Sequence, residues 1–542
     1  MRGTRGVAVP SPLQGSVWVG AAIAAIALGA VGSVAQEAAQ TDHPGKPVYD
    51  RWCAGCHGVN GDGDGEAAAW MLPRPRDFTT ALYQIRTTPS GALPTDADIL
   101  RMIDEGMPGT AMPGWRSQLS RSQRSDLVDY LKTFSRFFET EDPPEPIDMG
   151  RAPGMDDEAL EEGGRLYREI ECWKCHGDAG RGDGASAPTQ TDDNGYPIRP
   201  ADLTEPWLFN GGASIEQIYA RLRTGLDGTP MPSFADMVDG GVITDEQLWR
   251  LAGYVHSLAP VEDPEVREVV RAGLVDGPLP SSPSDEAWGE AEPYYVPLVG
   301  QIIRGDRTFA PAVDGVWVWA LHDGEELALR IAWNDPSHSP DPAWDDWQRL
   351  LAEHLEPPPP EPGAASPDVL TIQFPASLPD RRQLPYFLGG DAREPVYFWR
   401  WRSDTDALSE ALGRGLDLVE PLQATGASPT AVAEFEAGQW RLVVRRSLAS
   451  DDPERRIALP AGQPVPIAFF AQDGSSGEVG TRGSASSWYF LYLDQPVAAT
   501  VYVVPVAAAV LTALLGLLVV GRAQRAARRA PAKETRTLLE GV

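Results

Sequence analysis

Two long apolar segments lie near the ends of the chain. The first, residues 17–31, follows a positively charged start, and a Ser-Val-Ala sequence ending at Ala35 puts small residues where a signal peptidase cleaves. This pattern predicts a secretory signal over residues 1–35, with an uncleaved N-terminal anchor as the alternative. The second segment, residues 497–520, runs for 24 residues without a charge. Because about 20 apolar residues cross a bilayer as a helix, it predicts one transmembrane helix over residues 496–521.

Between these segments, the apolar pattern is helical up to about residue 260 and strand-like after it. Two capping boxes, Ser120-x-x-Gln123 and Thr244-x-x-Gln247, each precede apolar residues at helical spacing. In the later part, an Asp323-Gly324 pair between two alternating runs predicts a hairpin. Repeated short runs with few helical patterns predict an antiparallel β-sandwich. The other strand-like runs are 369–374, 396–401, 440–445, 465–471 and 487–493.

Shifts in composition indicate the domain boundaries. A stiff, charged Glu-Asp-Pro-Pro-Glu-Pro sequence from Glu141 separates two helical regions, and prolines from Pro260 onward close the second. A length of 542 residues agrees with about three folded domains. The predicted parts are a signal peptide 1–35, a helical domain 36–142, a linker 143–154, a helical domain 155–260, a β-sandwich 261–495, a transmembrane helix 496–521 and a basic cytoplasmic tail 522–542.

The chain is strongly acidic, and its charge is unevenly distributed. It has 77 acidic and 46 basic side chains, for a net charge of −31. Residues 1–35 carry +2 and residues 496–542 carry +4, which leaves −37 on residues 36–495. Repulsion between polyanions argues against nucleic acid as a partner. The positive-inside rule puts the basic tail in the cytoplasm, so we expect a single-pass protein of the cytoplasmic membrane with its bulk on the periplasmic side.

The four cysteines form two close pairs, each followed by a histidine. The residues are Cys53, Cys56 and His57 in the first C-x-x-C-H motif, and Cys172, Cys175 and His176 in the second. This spacing is typical of c-type haem attachment, because two thiols add to the porphyrin vinyl groups and the adjacent histidine becomes the proximal iron ligand. A zinc site would need further Cys or His at short spacing, and a thioredoxin-like pair has no need of the histidine.

The two motifs are 119 residues apart, and the same offset relates Met112-Pro113 to Met231-Pro232. Matching glycines around both features indicate a duplicated domain. In each copy the methionine follows the histidine by 55 residues, and a thioether is a suitable sixth ligand for low-spin iron. Met107 competes with Met112, but it maps onto Leu226 and has no counterpart in the second copy. The predicted axial pairs are His57 with Met112 and His176 with Met231.

These features together resemble the class I cytochrome c family over about residues 41–137 and 155–260. The matching parts are a helix before C-x-x-C-H, a loop, a short helix, the Met loop and a last helix. The resemblance implies two small all-helical domains with two covalently bound haem c groups and the axial pairs above.

Three segments of the third domain resemble another family. They are Trp319-x-x-His322-Asp323-Gly324-Glu325 leading to Trp333-Asn334-Asp335, Pro385–Gly390 leading to Pro395–Trp401, and Asp473–Glu478 leading to Ser487-Trp488-Tyr489. Over roughly residues 265–495 the chain is similar to the γ subunit of ethylbenzene dehydrogenase and related type II enzymes of the dimethyl sulfoxide reductase superfamily. The resemblance implies a β-sandwich that holds haem b between a methionine and a lysine and exchanges electrons with a molybdopterin/iron–sulfur partner.

The chain departs from that family at the haem b ligands. None of its nine methionines lies beyond residue 237, and none of its four lysines lies between 174 and 533. The aligned positions hold Leu388 or Gly389 and Arg482 or Gly483, which cannot replace those ligands. Substitute ligands would have to come from His322, His338 and His354, for which a hairpin turn and surface loops are the simpler assignments. We therefore expect no haem b here and a docking or structural role for the domain.

The leading functional hypothesis is a membrane-anchored dihaem cytochrome that relays single electrons to or from a respiratory or molybdopterin oxidoreductase complex. Iron with both axial positions filled by protein has no open site for a substrate, which favours relay over catalysis. A dihaem enzyme such as a peroxidase is one alternative, and it needs a switchable coordination position. A ligand-binding or sensing protein that uses the β-sandwich is the other.

Overall fold

The computed structural model describes residues 42–355, 358, 366–379, 384–405, 407–416, 418–496 and 500–529. The predicted signal over residues 1–35 and the tail beyond residue 529 lie outside the described residues. The described chain is helical first, β-rich next, and helical again at its end. The predicted multidomain fold class is therefore confirmed.

The helical region contains two copies of one arrangement. The first copy has α1 (Lys46–Trp52), α2 (Ala54–His57), α3 (Asp96–Glu105), α4 (Arg121–Lys132) and α5 (Phe137–Thr140). The second copy has α6 (Asp157–Glu169), α7 (Trp173–His176), α8 (Ile215–Thr224), α9 (Ala235–Asp239) and α10 (Asp245–Ser257). Both predicted capping boxes are present, with Ser120 capping α4 and Thr244 capping α10. Two further capping boxes, at Thr95 and Ser214, start α3 and α8 and were not predicted.

In each copy, the first helix crosses the long helix that follows the Met loop, α4 in the first copy and α10 in the second, at a glycine. A Cβ added to Gly45 would lie 2.2 Å from the carbonyl oxygen of Asp126, and one added to Gly163 would lie 2.2 Å from that of Arg250. Only glycine allows this approach of the two backbones. The crossing buries Tyr49 in the first copy and holds the C-x-x-C-H segment, which follows the first helix, against the core.

The third domain contains fourteen strands in one continuous sheet among the described residues. The strands are β1 (Val269–Leu274), β2 (Tyr294–Pro297), β3 (Val299–Gly300), β4 (Gly315–His322), β5 (Glu326–Asn334), β6 (Val369–Pro375), β7 (Val396–Arg402), β8 (Ala407–Gly413), β9 (Val419–Pro421), β10 (Thr430–Glu436), β11 (Gln439–Ser447), β12 (Pro464–Gln472), β13 (Ser484–Ala485) and β14 (Tyr489–Leu493). The main path runs β10-β11-β5-β4-β1-β14-β12-β6-β7-β8-β9, and α11 (Asp345–His354) lies between β5 and β6 in sequence.

The sheet folds over on itself into two layers. Trp333 of β5 and Trp401 of β7 are far apart along the strand order, yet their ring centroids are 5.7 Å apart. These rings belong to a buried apolar core to which both layers contribute. The predicted hairpin is present as the antiparallel pair β4–β5. The sheet is not wholly antiparallel, because β1 pairs in parallel with both β4 and β14.

The sandwich packs directly on the second helical copy. The Asn334 side chain at the end of β5 donates to Asp202 at 2.8 Å and to Glu205 at 3.2 Å. Arg181 donates to the carbonyl oxygen of Ala437 in the β10–β11 turn at 2.8 Å. Arg199 pairs with the buried Asp473 after β12 at 3.0 Å. These polar contacts fix the loop 181–205 of the second copy against the edge of the sandwich.

The last helix, α12 (Thr500–Arg529), is 30 residues long and is exposed along its length. Its mean hydropathy reaches 2.7 over 18 residues, so it is long and apolar enough to cross a membrane. It continues beyond the predicted boundary at residue 521 and carries Arg522, Arg525, Arg528 and Arg529 in its last turns.

Candidate haem sites

The two C-x-x-C-H motifs adopt the same backbone conformation. Each forms one short helical turn, α2 and α7, that ends at the histidine. A tyrosine from the preceding helix holds each turn in place. The hydroxyl of Tyr49 donates to the carbonyl oxygen of Gly58 at 2.7 Å, and the hydroxyl of Tyr167 donates to that of Gly177 at 2.7 Å. The four cysteines are half-buried and lie at equivalent places in the two turns.

Each histidine ring is oriented by a backbone carbonyl. His57 Nδ1 lies 3.0 Å from the oxygen of Arg76, and His176 Nδ1 lies 2.9 Å from the oxygen of Ala201. A carbonyl can only accept, so Nδ1 carries the proton and the lone pair is on Nε2. Burial also lowers the pKa of both imidazoles, which keeps them neutral. A neutral ring whose Nδ1–H is fixed by a carbonyl is the usual arrangement of a metal-ligating histidine.

The thiols do not have the properties of a redox pair. Burial raises the pKa of Cys53 and Cys172 to about 12, so both are protonated at neutral pH. Thioredoxin-like cysteines are activated by a lowered pKa, which is the opposite shift. Covalent attachment to porphyrin vinyl groups leaves neutral thioethers, for which a half-buried apolar setting is suitable. The donor set of each motif, two thiols and one oriented imidazole, therefore fits haem c.

The two loops with the predicted methionine ligands have the same hydrogen bonds. In the first copy the Met107 N–H donates to the Met112 carbonyl at 3.0 Å, and the Thr110 hydroxyl accepts from the Met112 N–H at 3.1 Å. In the second copy the Leu226 N–H donates to the Met231 carbonyl at 3.1 Å, and the Thr229 hydroxyl accepts from the Met231 N–H at 3.2 Å.

This correspondence bears on the choice between the two methionines of the first loop. Met107 occupies the position of Leu226, and Met112 occupies the position of Met231. Only Met112 therefore has a sulfur-bearing counterpart in the second copy. Both Met112 and Met231 are half-buried. The role of these methionines as iron ligands stays a prediction, and the matched loops support it.

Both Met loops lie at the contact between the two copies. A Cβ added to Gly109 of the first loop would lie 3.1 Å from the carbonyl oxygen of Leu208, and one added to Gly228 of the second would lie 3.4 Å from Nη1 of Arg76. Each loop thus touches the opposite copy.

An ion pair between a buried arginine and a half-buried aspartate joins the copies next to these loops. The Arg86 side chain is fully buried and lies 2.8 Å from the Asp227 carboxylate. It also donates to the Thr224 carbonyl at 2.9 Å. Asp227 accepts from Ser90 and from the Gly91 N–H, at 2.9 and 2.8 Å. A pair with a buried arginine and this many hydrogen bonds permits few relative orientations of its two sides.

Sequence reasoning missed the orienting groups and the interdomain contacts. The constant offset of 119 residues hides local changes in length, because Arg76 corresponds to Ala201 at an offset of 125 and Ser120 corresponds to Thr244 at 124. The second copy is longer than the first at two places. One is an insertion within residues 183–200, and the other is the short helix α9. The repeated Gly-Thr before each Met-Pro was the available signal for the locked Met loops.

The positions aligned with the haem b ligands of the γ subunit family are packed with protein. Leu388 is buried and contacts Phe470 and Ala485. His322 ends β4 next to the predicted turn and is buried, with Nε2 donating to the Asp494 carbonyl at 2.9 Å. His338 is exposed, and its ring lies next to that of Phe435. His354 ends helix α11 rather than lying in a loop.

Comparison with known proteins identifies the helical copies. The cytochrome c family matches residues 43–135 and 160–259. The chain is 26% identical over 210 residues to the "Putative respiratory nitrate reductase heme subunit ORF7" of Haloferax mediterranei, which covers 39% of this chain and 67% of that protein. It is 26% identical over 228 residues to the cbb3-type cytochrome c oxidase subunit CcoP of an Azospirillum species, covering 40% of this chain and 61% of that protein.

Among solved structures, the chain is similar to a chain of the Kuenenia stuttgartiensis reducing HAO-like protein complex Kustc0457/Kustc0458. The identity is 47%, the match covers 40% of this chain and 95% of that one, and the TM-score is 0.38. The family segments end at residue 259. The resemblance of the third domain to the ethylbenzene dehydrogenase γ subunit therefore stays a prediction.

Proposed function

We propose that this chain, which contains two cytochrome c domains in tandem and carries covalently attached haem c, is a dihaem electron relay anchored in the cytoplasmic membrane. The observation that carries the proposal is the repetition of one complete site, with an oriented histidine and a locked Met loop in both copies. Cys53 and Cys56 would hold the first haem, with His57 and Met112 as axial ligands. The second haem would be held by Cys172 and Cys175, with His176 and Met231 as axial ligands.

When bound, haem c supplies a one-electron iron couple. The chain's residues would hold the groups around that couple in fixed orientations. The Arg76 and Ala201 carbonyls fix the imidazole rings, and the threonine hydroxyls fix the Met loops. With a histidine and a methionine of the protein on the two axial sides, the iron would have no open position for a substrate, which supports relay over a peroxidase-like reaction. A thioether ligand also raises the reduction potential.

The contact between the copies supports relay through both of them. Each Met loop faces the other copy, and Arg86 with Asp227 holds the two in one orientation. The two sites would therefore keep a fixed position relative to each other without domain movement. The sandwich extends this rigid unit, because Asn334, Ala437 and Asp473 hold the loop that carries the Ala201 carbonyl.

The relatives are subunits of respiratory complexes, and this supports redox proteins as partners. The sandwich would dock the relay on such a partner, and a molybdopterin/iron–sulfur oxidoreductase is the candidate that its resemblance indicates. With −37 on residues 36–495, the partner surface is expected to be basic.

Electron exchange with a small basic redox protein tests this proposal. The rate is expected to fall as ionic strength rises from 0.01 to 0.15 M, because the Debye length shrinks from about 30 to about 8 Å. Stopped-flow absorbance of the full-length protein measures it. An acidic redox protein of similar potential is the control, and its rate should rise with salt. A rate with the basic protein that does not depend on salt contradicts the proposed docking.

Removal of residues 496–542 is expected to move the protein from the membrane fraction to the soluble periplasmic fraction with its haem retained. Helix α12 would then be the anchor, since its apolar surface is not covered by any of the residues that the structure describes. Cell fractionation followed by haem staining measures the outcome. Removal of residues 530–542 alone is the control and should leave the protein in the membrane. A truncated chain that stays in the membrane would assign the anchor to the N-terminal segment.

A further inference from the structure

Three buried carboxylates converge at one end of the sandwich, outside the haem sites. Asp335 follows β5, Asp368 precedes β6, and Asp473 follows β12. All three are fully buried, and one oxygen of each lies within 4.8 Å of one oxygen of both others. They come from both layers of the sheet, since β6 and β12 are neighbours while β5 is several strands away.

Two of the three carboxylates have hydrogen bonds to both oxygens. Asp368 accepts from the Gly474 N–H at 3.0 Å through Oδ1, and from the Trp440 indole N–H at 3.1 Å through Oδ2. Asp473 accepts from the Ser475 N–H at 2.7 Å through Oδ1, and from Arg199 at 3.0 Å through Oδ2.

Asp335 is different, because one of its oxygens has no partner. Oδ1 accepts from the Ser337 N–H at 3.0 Å. Oδ2 is buried and has no hydrogen bond within the described part of the chain. A buried carboxylate oxygen without a donor is costly, and native structures rarely leave one unless an ion or a water contacts it.

The charge of the cluster is also unbalanced. Glu478 is a fourth buried carboxylate, and it accepts from the Asp473 N–H at 3.0 Å. Among the described residues, Arg199 pairs with Asp473, and Arg482 acts on Glu478 from farther away. When all four carboxylates are ionised, these two guanidinium groups leave two negative charges in a buried site. Burial and the neighbouring carboxylates raise the pKa of Asp335 and Asp368, and a bound cation would relieve the same repulsion.

We propose that Asp335, Asp368 and Asp473 bind one calcium ion. Ca²⁺ takes six to eight oxygen ligands at about 2.3–2.6 Å in flexible geometry, so ligand oxygens up to about 5 Å apart can share it. Zinc and copper prefer nitrogen or sulfur, and no histidine or cysteine belongs to this cluster of described residues. Magnesium is smaller and usually keeps several waters, which suits an exposed site better.

The ion would join the two layers of the sandwich behind the second cytochrome domain. Arg199, which pairs with Asp473, stands two residues before Ala201, whose carbonyl orients His176. Calcium would therefore stabilise the end of the sandwich on which the loop of the second haem site rests. This inference does not depend on the direction or partner of electron transfer.

Metal analysis of the full-length protein tests the proposal. Protein purified in detergent with CaCl₂ and then desalted is expected to contain one calcium per chain by mass spectrometry of the elements. Chelation with EGTA should lower the thermal unfolding temperature by roughly 5–10 °C relative to Ca²⁺ at a hundred times its dissociation constant. CaCl₂ should restore it, and MgCl₂ at the same concentration should not.

The variant Asp335→Asn is expected to lose the calcium and the EGTA response. Asp346→Asn, at a carboxylate exposed on α11, is the matched control and should keep both. If Asp335→Asn does not fold, the wild-type measurements decide alone. Calcium-free wild-type protein with no EGTA response overturns the proposal, and so does restoration by MgCl₂.

Discussion

Replacement of both Cys53 and Cys56 with alanine is expected to lower covalently bound haem from two groups per chain to one. The matching change at Cys172 and Cys175 should have the same effect, and the fourfold variant should retain none. Thioether bonds survive denaturation, whereas axial bonds to iron do not. Haem that stays with the denatured polypeptide, measured by absorbance per chain and by intact mass, therefore reports the cysteines alone.

The wild-type count also tests the third domain. Two haem groups per chain after denaturation, and two before it, agree with a sandwich that holds none. An additional haem that is lost on denaturation would mean a non-covalent haem site in the sandwich, with His322 as the first residue to examine. One covalent haem in the wild-type chain would contradict the assignment of the two copies as equivalent sites.

The local structure of the two C-x-x-C-H motifs could be predicted from the sequence because it depends on neighbouring residues. The C-x-x-C-H spacing fixes two thiols and an imidazole on one helical turn, and the structure forms that turn twice. The repeat offset pairs Met112, and not Met107, with Met231. The hydrogen bonds of the two loops pair the same residues. A motif of a few neighbouring residues is therefore enough to predict the local structure that it forms.

The groups that orient the site could not be predicted, since they depend on long-range packing. The carbonyl that orients His176 belongs to Ala201, 25 residues away, after an insertion that the constant repeat offset conceals. Any residue offers a backbone carbonyl, so nothing in the side chain marks this role. The same holds for Asn334, which contacts Asp202 across 132 residues of sequence.

The sandwich shows both the strength and the limit of pattern reasoning. Alternating runs and the Asp323-Gly324 turn predict its strands well, as β4 and β5 show. Period-two alternation has no information on strand direction, so the parallel pairing of β1 with β4 and β14 was not predicted. Asp335, Asp368 and Asp473 are also separated in sequence, and only the folded sheet brings their carboxylates together.

The Met112→Ala variant is expected to lose one of two His/Met spectral signatures and to lower the potential of that haem. Loss of a thioether removes the ligand that raises the potential, and axial ligands as a group move haem potentials over roughly 0.8 V. Visible and magnetic circular dichroism spectra with a redox titration measure both effects. Met107→Ala is the matched control, because it removes a thioether from the same loop and should leave spectrum and potential unchanged.

The second copy allows the same comparison, with a leucine in place of the competing methionine. Met231→Ala should remove the other His/Met signature, while Leu226→Ala, at the position equivalent to Met107, should not.

If Met107→Ala removes a signature and Met112→Ala does not, the first haem uses the other methionine and the repeat register fails at that loop. If neither change has an effect, the sixth ligand lies outside the loop. An open sixth position in the wild type would then favour the peroxidase alternative over relay, because catalysis at iron needs a coordination site that protein does not fill.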